Sequence, residues 1–311
     1  MRCALLLVLA ACAREAPEPV GPIGIKVPPG TPKRLCVKQP DEAAAISHAS
    51  GDKHIVQYCV GTAIDQCFSL ELISGGLRRL SEQPAAQSPA IQAAAHVETT
   101  NPELKVCGTN GCKTLTPQVW PGAAPLHAAT NGTVAAVMLG DAEAGKGYIE
   151  VYDVMKAKKL ASFKYARGDF KCGEIGMLGD TIYVGTSMCA NPSGRAALYT
   201  AKGKKIANVG GKPDFGMFGN AYTQVEDTVW AFLEENGNRI ALQDVVKGKV
   251  KKTIDVSALF ESKMGNPGES AIVRLDGGRL AVIAGTPANG SVAVVDVTSG
   301  EVTIVRAPLC T

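Results

Sequence analysis

The residues that could do chemistry in this chain are ten cysteines, four histidines and a scatter of carboxylates. General-base catalysis most often recruits His. His48, His54, His96 and His127 all stand outside any nucleophile or metal pattern, because the chain holds no Gly-x-Ser-x-Gly, no His-Glu-x-x-His and no Walker loop. The glycines of Leu139-Gly-Asp-Ala-Glu-Ala-Gly-Lys-Gly147 are spaced like a phosphate loop, but Lys146 is not followed by Ser or Thr. That run joins two expected strands and reads as a hairpin loop. Asn131-Gly-Thr133 and Asn289-Gly-Ser291 match glycan acceptors in pattern and read better as turns. For the cysteines, zinc is disfavoured: Cys107 and Cys112 have no second pair at finger-like spacing and no nearby His.

What the cysteines do depends on the compartment, and the first residues address that. Residues 1–11 carry one basic residue, Arg2, and then an apolar run from Cys3 to Ala11 that ends in small residues, the layout of a secretory signal. Nine apolar residues span about 14 Å as a helix, too short for a bilayer core of roughly 30 Å. Leu9-Ala10-Ala11-Cys12 resembles the lipobox of bacterial lipoproteins. The resemblance implies cleavage before Cys12, lipidation of Cys12, and a place in the cell envelope, attached to the membrane through that N-terminal lipid. Ala13 stands where many lipoproteins retained at the inner membrane carry Asp, so the outer membrane is favoured. Residues 12–33 follow as a lipidated cysteine and a Pro-rich tether, and residues 34–311 are expected to fold.

Behind a signal peptide, the eight remaining cysteines read as disulfides. Cys107 and Cys112 enclose an Asn-Gly turn and should face each other across a hairpin. Cys172 and Cys189 flank strands Glu174 to Leu178 and Thr181 to Thr186, and Cys59 and Cys67 flank the loop between Ile55 to Val60 and Phe68 to Leu72. Cys36 with Cys310 would then tie the two ends of the folded region together.

The elements that position these groups repeat. Ile149-Glu-Val-Tyr-Asp153, Ile240-Ala-Leu-Gln-Asp244 and Val292-Ala-Val-Val-Asp296 each lead into a turn and a second strand. Looser copies put Glu71 and Ala201 at the Asp position, and a degenerate one lies around Cys107 to Leu115. The Asp is expected to be a turn residue that accepts backbone amides. This unit resembles the repeat of YVTN-type and quinoprotein-like β-propellers. The resemblance implies an all-β propeller, stapled here by the disulfides above; the repeat from Glu71 to Asp296 advances about 45 residues per step, which fits six blades, with seven blades or a pair of β-sandwiches as the alternative. Residues 34–38 are expected to add a strand to the last blade.

In such propellers, sites gather on the central funnel, fed by the loops leading into each innermost strand. Here those loops carry Asp169, Glu174, Asp214, Phe215, Asn266 and Glu269, with Trp120 and His127 earlier. No catalytic residue and no metal ligand is assigned, and no cofactor is expected; calcium is the ion an acidic funnel of this kind would take. A formal net charge of +3 gives no nucleic-acid footprint. The Lys-rich stretches 156–159 and 247–252 read as solvated turns and strands. The expected function is a protein-binding or scaffold module whose partner is an envelope protein or surface polymer. The alternative is a metal-dependent hydrolase or lactonase, or a quinoprotein-like oxidoreductase, acting at the funnel.

Overall fold

The described residues form six antiparallel sheets, five of four strands and one of three. The computed structural model describes residues 35–37, 46–61, 66–84, 95–100, 103–108, 111–115, 124–141, 146–165, 174–188, 191–211, 222–234, 239–260, 270–285, 290–308 and 310. Blade 1 comprises β1 (Ile46–Gly51), β2 (Ile55–Val60), β3 (Cys67–Glu71) and β4 (Leu77–Arg79). Blade 2 has β5 (Ala95–Thr100), β6 (Glu103–Gly108) and β7 (Gly111–Leu115). Blade 3 has β8 (Ala124–Thr130), β9 (Val134–Asp141), β10 (Lys146–Asp153) and β11 (Lys158–Lys164). Blade 4 runs through β12 (Glu174–Leu178), β13 (Thr181–Met188), β14 (Asn191–Thr200) and β15 (Lys205–Asn208). Blade 5 has β16 (Tyr222–Gln224), β17 (Val229–Leu233), β18 (Arg239–Asp244) and β19 (Lys249–Asp255), and blade 6 has β20 (Ala271–Leu275), β21 (Arg279–Ile283), β22 (Val292–Asp296) and β23 (Val302–Val305).

Each sheet is a meander in chain order, and the first strands of successive blades lie against one another: β5 on β8, β8 on β12, β16 on β20, β20 on β1. The first strand of every blade is therefore innermost, the arrangement of a six-bladed β-propeller. Burial follows from it. Strands packed between neighbouring sheets are apolar on both sides, as in Val229–Leu233, whereas the outermost strands β11 and β19 alternate exposed residues with half-buried ones, or in β19 with the buried Ile254. The cores lie between blades; Phe163 of blade 3, for example, stacks on Tyr199 of blade 4 with ring centroids 4.6 Å apart.

The repeated aspartates close the turns between third and fourth strands. Asp153 Oδ1 accepts the Lys156 N–H at 2.9 Å, Asp244 Oδ1 the Lys247 N–H at 2.9 Å, and Asp296 Oδ1 the Ser299 N–H at 2.7 Å. These backbone donors hold all three carboxyls below the usual carboxylate range. Four residues after the Asp, Gly248 and Gly300 take left-handed φ values of 72° and 83°, and in blade 3 Ala157 does so at 49°. In blade 4 the equivalent position is Thr200, not Ala201: its Oγ1 accepts the Lys204 N–H at 3.2 Å in a turn one residue shorter.

Blade junctions are stitched by side chains bonding to a neighbour's backbone. Asn131 Nδ2 donates to Gly179 O at 3.1 Å between blades 3 and 4, which makes Asn131 a structural turn residue. Gln243 Nε2 donates to Asn208 O at 3.0 Å between blades 4 and 5; Lys252 Nζ donates to Thr298 O at 2.9 Å between 5 and 6; Arg279 donates to Lys53 O at 2.6 Å between 6 and 1.

Disulfides join Cys36 to Cys310, Cys59 to Cys67 and Cys107 to Cys112. Cys172 and Cys189 lie outside the described residues. Two expectations need correction. Among the described residues of the range 34–38, which are 35–37, there is a single bridge and not a strand: Val37 donates to Pro308 O and accepts from Cys310 N–H. The hairpin at Cys107 and Cys112 is also no copy of the Asp turn. β5 is the inner strand, so β6 and β7 are the second and third strands, and their hairpin lies at the opposite end of the blade.

Candidate functional site

Of the six funnel candidates the structure describes Glu174, while Asp169, Asp214, Phe215, Asn266 and Glu269 lie outside the described residues, as do Trp120 and Cys12. His127 is exposed on β8. Glu174 opens the inner strand β12 and sits opposite Gly185 of β13. The Tyr222 hydroxyl, from the first strand of blade 5, donates to Glu174 Oε1 at 3.4 Å. The carboxyl therefore bridges blades 4 and 5 where β12 begins.

Two glycines let aromatic rings close in on it. A methyl group at Gly176 would come within 2.8 Å of the Tyr222 hydroxyl, and one at Gly185 within 2.5 Å of the Tyr183 hydroxyl. Tyr183 and Tyr222 pack with centroids 5.1 Å apart, and Trp230 and Phe232 lie behind Tyr222 at 6.2 and 6.1 Å. The Tyr183 hydroxyl is buried with no hydrogen-bond partner among the described residues.

Electrostatics follow from that packing. Burial pushes the Glu174 carboxyl up to about 7, partly opposed by the Tyr222 hydrogen bond, which favours the ionised form. Burial and the Glu174 charge push the phenols of Tyr183 and Tyr222 well up. A carboxyl that titrates near neutrality can donate a hydrogen bond or a proton below that point and accept one above it. Sequence reasoning singled out Glu174 and missed both tyrosines, whose only signal was the pairing of Tyr with Gly in Gly176, Tyr183 and Gly185.

A consequence for stability can be measured. The folded carboxyl titrates near 7 and an unfolded one near 4.3, so between these values the native state holds the extra proton. Native stability is highest below the lower value and falls as pH rises through the upper one. Glu174→Gln should abolish this slope, so that the variant gains about 3 kcal/mol on the wild type between pH 4 and pH 8. Urea unfolding at both pH values checks it; parallel wild-type and variant curves would contradict it.

No protein-family profile matches the chain, and no curated protein matches it in sequence. Solved structures similar to it include Hsv2p of Kluyveromyces lactis, at 10% identity over 82% of this chain and 75% of that one, with a TM-score of 0.45. A chain from a mitotic checkpoint complex is similar at 11% identity over 98% of this chain and 89% of that one, again at 0.45. The propeller assignment rests on the strand pairing of the chain itself.

Proposed function

We propose that this chain is an exported lipoprotein, acylated at Cys12, whose propeller is a rigid binding or scaffold module in the cell envelope. The observation that carries the reading is the seam bond from Cys36 to Cys310. A ring that depends on a disulfide between its ends suits an oxidising compartment, where such a bond persists. The lipobox of residues 9–12 and the Pro-rich stretch after it supply the anchor and the tether. Side-chain bonds across blade junctions make a stiff disc, and a stiff surface loses little conformational entropy when a partner docks. The partner is an envelope protein or surface polymer, and the outer membrane is the favoured location.

In cells fed a labelled fatty acid, the wild-type chain should carry the label and fractionate with membranes, whereas Cys12→Ala should lose both. A soluble, unlabelled wild type would end the anchor reading. Crosslinking of the tagged full-length chain in its own envelope tests the scaffold role: a stoichiometric envelope partner is the expected capture.

Glu174 favours a second reading, chemistry at the funnel by a hydrolase, lactonase or oxidoreductase. That reading requires an activity lost in Glu174→Gln with folding intact.

A further inference from the structure

The two Lys-rich stretches at 156–159 and 247–252, and the Lys202-Gly-Lys-Lys205 turn between them, are far apart in sequence and adjacent in space. Residues 153–164, 200–208 and 244–255 are the outer turns and outermost strands of blades 3, 4 and 5. They interlock: Gly203 of the blade 4 turn sits against Phe163 of β11, and Gly248 of the blade 5 turn against Ile206 and Ala207 of β15. Together they hold eleven lysines against three aspartates, a balance of +8 in a chain of net charge +3. Asp153 lies 3.7 Å from Lys156, Asp244 3.9 Å from Lys247, and the buried Glu150 3.2 Å from Lys159, so the cations of this edge without such an ion partner among the described residues are chiefly those of the blade 4 turn and of β19, among them Lys202, Lys204, Lys249 and Lys251. The lysine side chains at the two turn tips, Lys156 and Lys247, are 76% and 74% exposed.

This edge is not only basic. Met155 is 64% exposed, Val246 58% and Leu160 48%, three of the four exposed large apolar residues among those described. Met155 and Val246 occupy the same place, two residues after the repeat Asp, at the tips of turns on one face. Apolar tips set among lysines match the interface of a bilayer with anionic headgroups: ammonium groups meet phosphate oxygens, and the tips enter the headgroup boundary. A soluble polyanion would have no use for the apolar tips.

We propose that the edge formed by blades 3, 4 and 5 is a membrane-docking surface for anionic phospholipid. The proposal deepens the lipoprotein reading and rests on it for the membrane being at hand. Chain length permits it: Cys12 and Cys36 are 24 positions apart, and an extended chain of that length reaches about 75 Å, against a blade height of roughly 25 Å.

The test uses the full chain carrying Cys12→Ala, so that no acyl group contributes, and sedimentation with vesicles of phosphatidylcholine alone or with phosphatidylglycerol. The chain should bind anionic vesicles about tenfold more tightly than neutral ones and release in high salt. Lys202→Glu/Lys204→Glu/Lys249→Glu/Lys251→Glu should weaken binding about tenfold or more, and Met155→Ser/Val246→Ser several-fold, with unchanged melting temperatures. If the quadruple charge reversal unfolds the chain, the same four positions as Gln serve instead. Charge reversal at Arg78 and Arg79 of blade 1, outside the edge, should leave binding intact. Binding indifferent to vesicle charge or to the blade 4 and 5 lysines would overturn the proposal. So would capture of soluble polyglutamate without any vesicle binding, which would assign the edge to an acidic protein. Failure of fatty-acid labelling at Cys12 is read separately and bears on the anchor alone.

Discussion

Replacing Cys36 and Cys310 together by alanine is expected to lower stability by about 5 kcal/mol, the largest single effect in the molecule. The bond links residues 274 positions apart, and in the loop-entropy model the constraint on the unfolded chain grows with the logarithm of that separation. The comparison is internal. Cys59→Ala/Cys67→Ala removes a bond that spans eight positions and should cost about 2.5 kcal/mol on the same scale. Urea unfolding of both variants under non-reducing conditions gives the two values. The native seam should also loosen, since Val37 accepts the Cys310 N–H at 2.9 Å and donates to Pro308 O at 2.8 Å beside the disulfide. Amide exchange at residues 37 and 310 should therefore accelerate more than exchange in blade 4. Equal losses from the two cysteine pairs would refute the entropic account.

Lys159→Met should rank second, at about 3 kcal/mol. Glu150 is fully buried on β10, where it accepts the Tyr152 hydroxyl and lies 3.2 Å from the Lys159 ammonium. A buried carboxylate deprived of its cation keeps its desolvation cost and loses the attraction that offset it. The informative control is Glu150→Gln/Lys159→Met, which removes the charge with its partner and should recover most of the loss. Denaturant unfolding of the two variants decides the matter: a single variant within 0.5 kcal/mol of wild type would mean that the pair is solvated in effect, despite its burial.

How much of this was legible in the sequence follows from how local each feature is. The aspartates at 153, 244 and 296 act within three residues of themselves, so their spacing alone reported both the turn and the period. Thr200 was misplaced by one because a hydroxyl and a shorter turn replace the carboxylate there, and a match on Asp cannot register that exchange. The Asn-Gly turn between Cys107 and Cys112 announced a hairpin but not which strands of a blade it joins; that depends on β5 lying against β8, a contact between blades. Glu174 stood out as a carboxylate ahead of a strand. Its titration is raised by burial, and the hydrogen bond that partly opposes the rise comes from Tyr222, 48 residues away, which only the ring brings near. The lysine edge was similar: the stretches 156–159 and 247–252 each read as ordinary solvated surface, and the blade period sets them on either side of the lysines at 202–205 as one surface.

The geometry of the disulfides also orders events in time. Cysteines five and eight positions apart can find each other as soon as their hairpins form, while the remainder of the chain is still unfolded. The pair at 36 and 310 meets only when the blades between them have closed the ring, so the clasp is a late event. Until then the first blade waits with an open flank beside it, and an early, incorrect partner for Cys36 is the hazard this topology must survive.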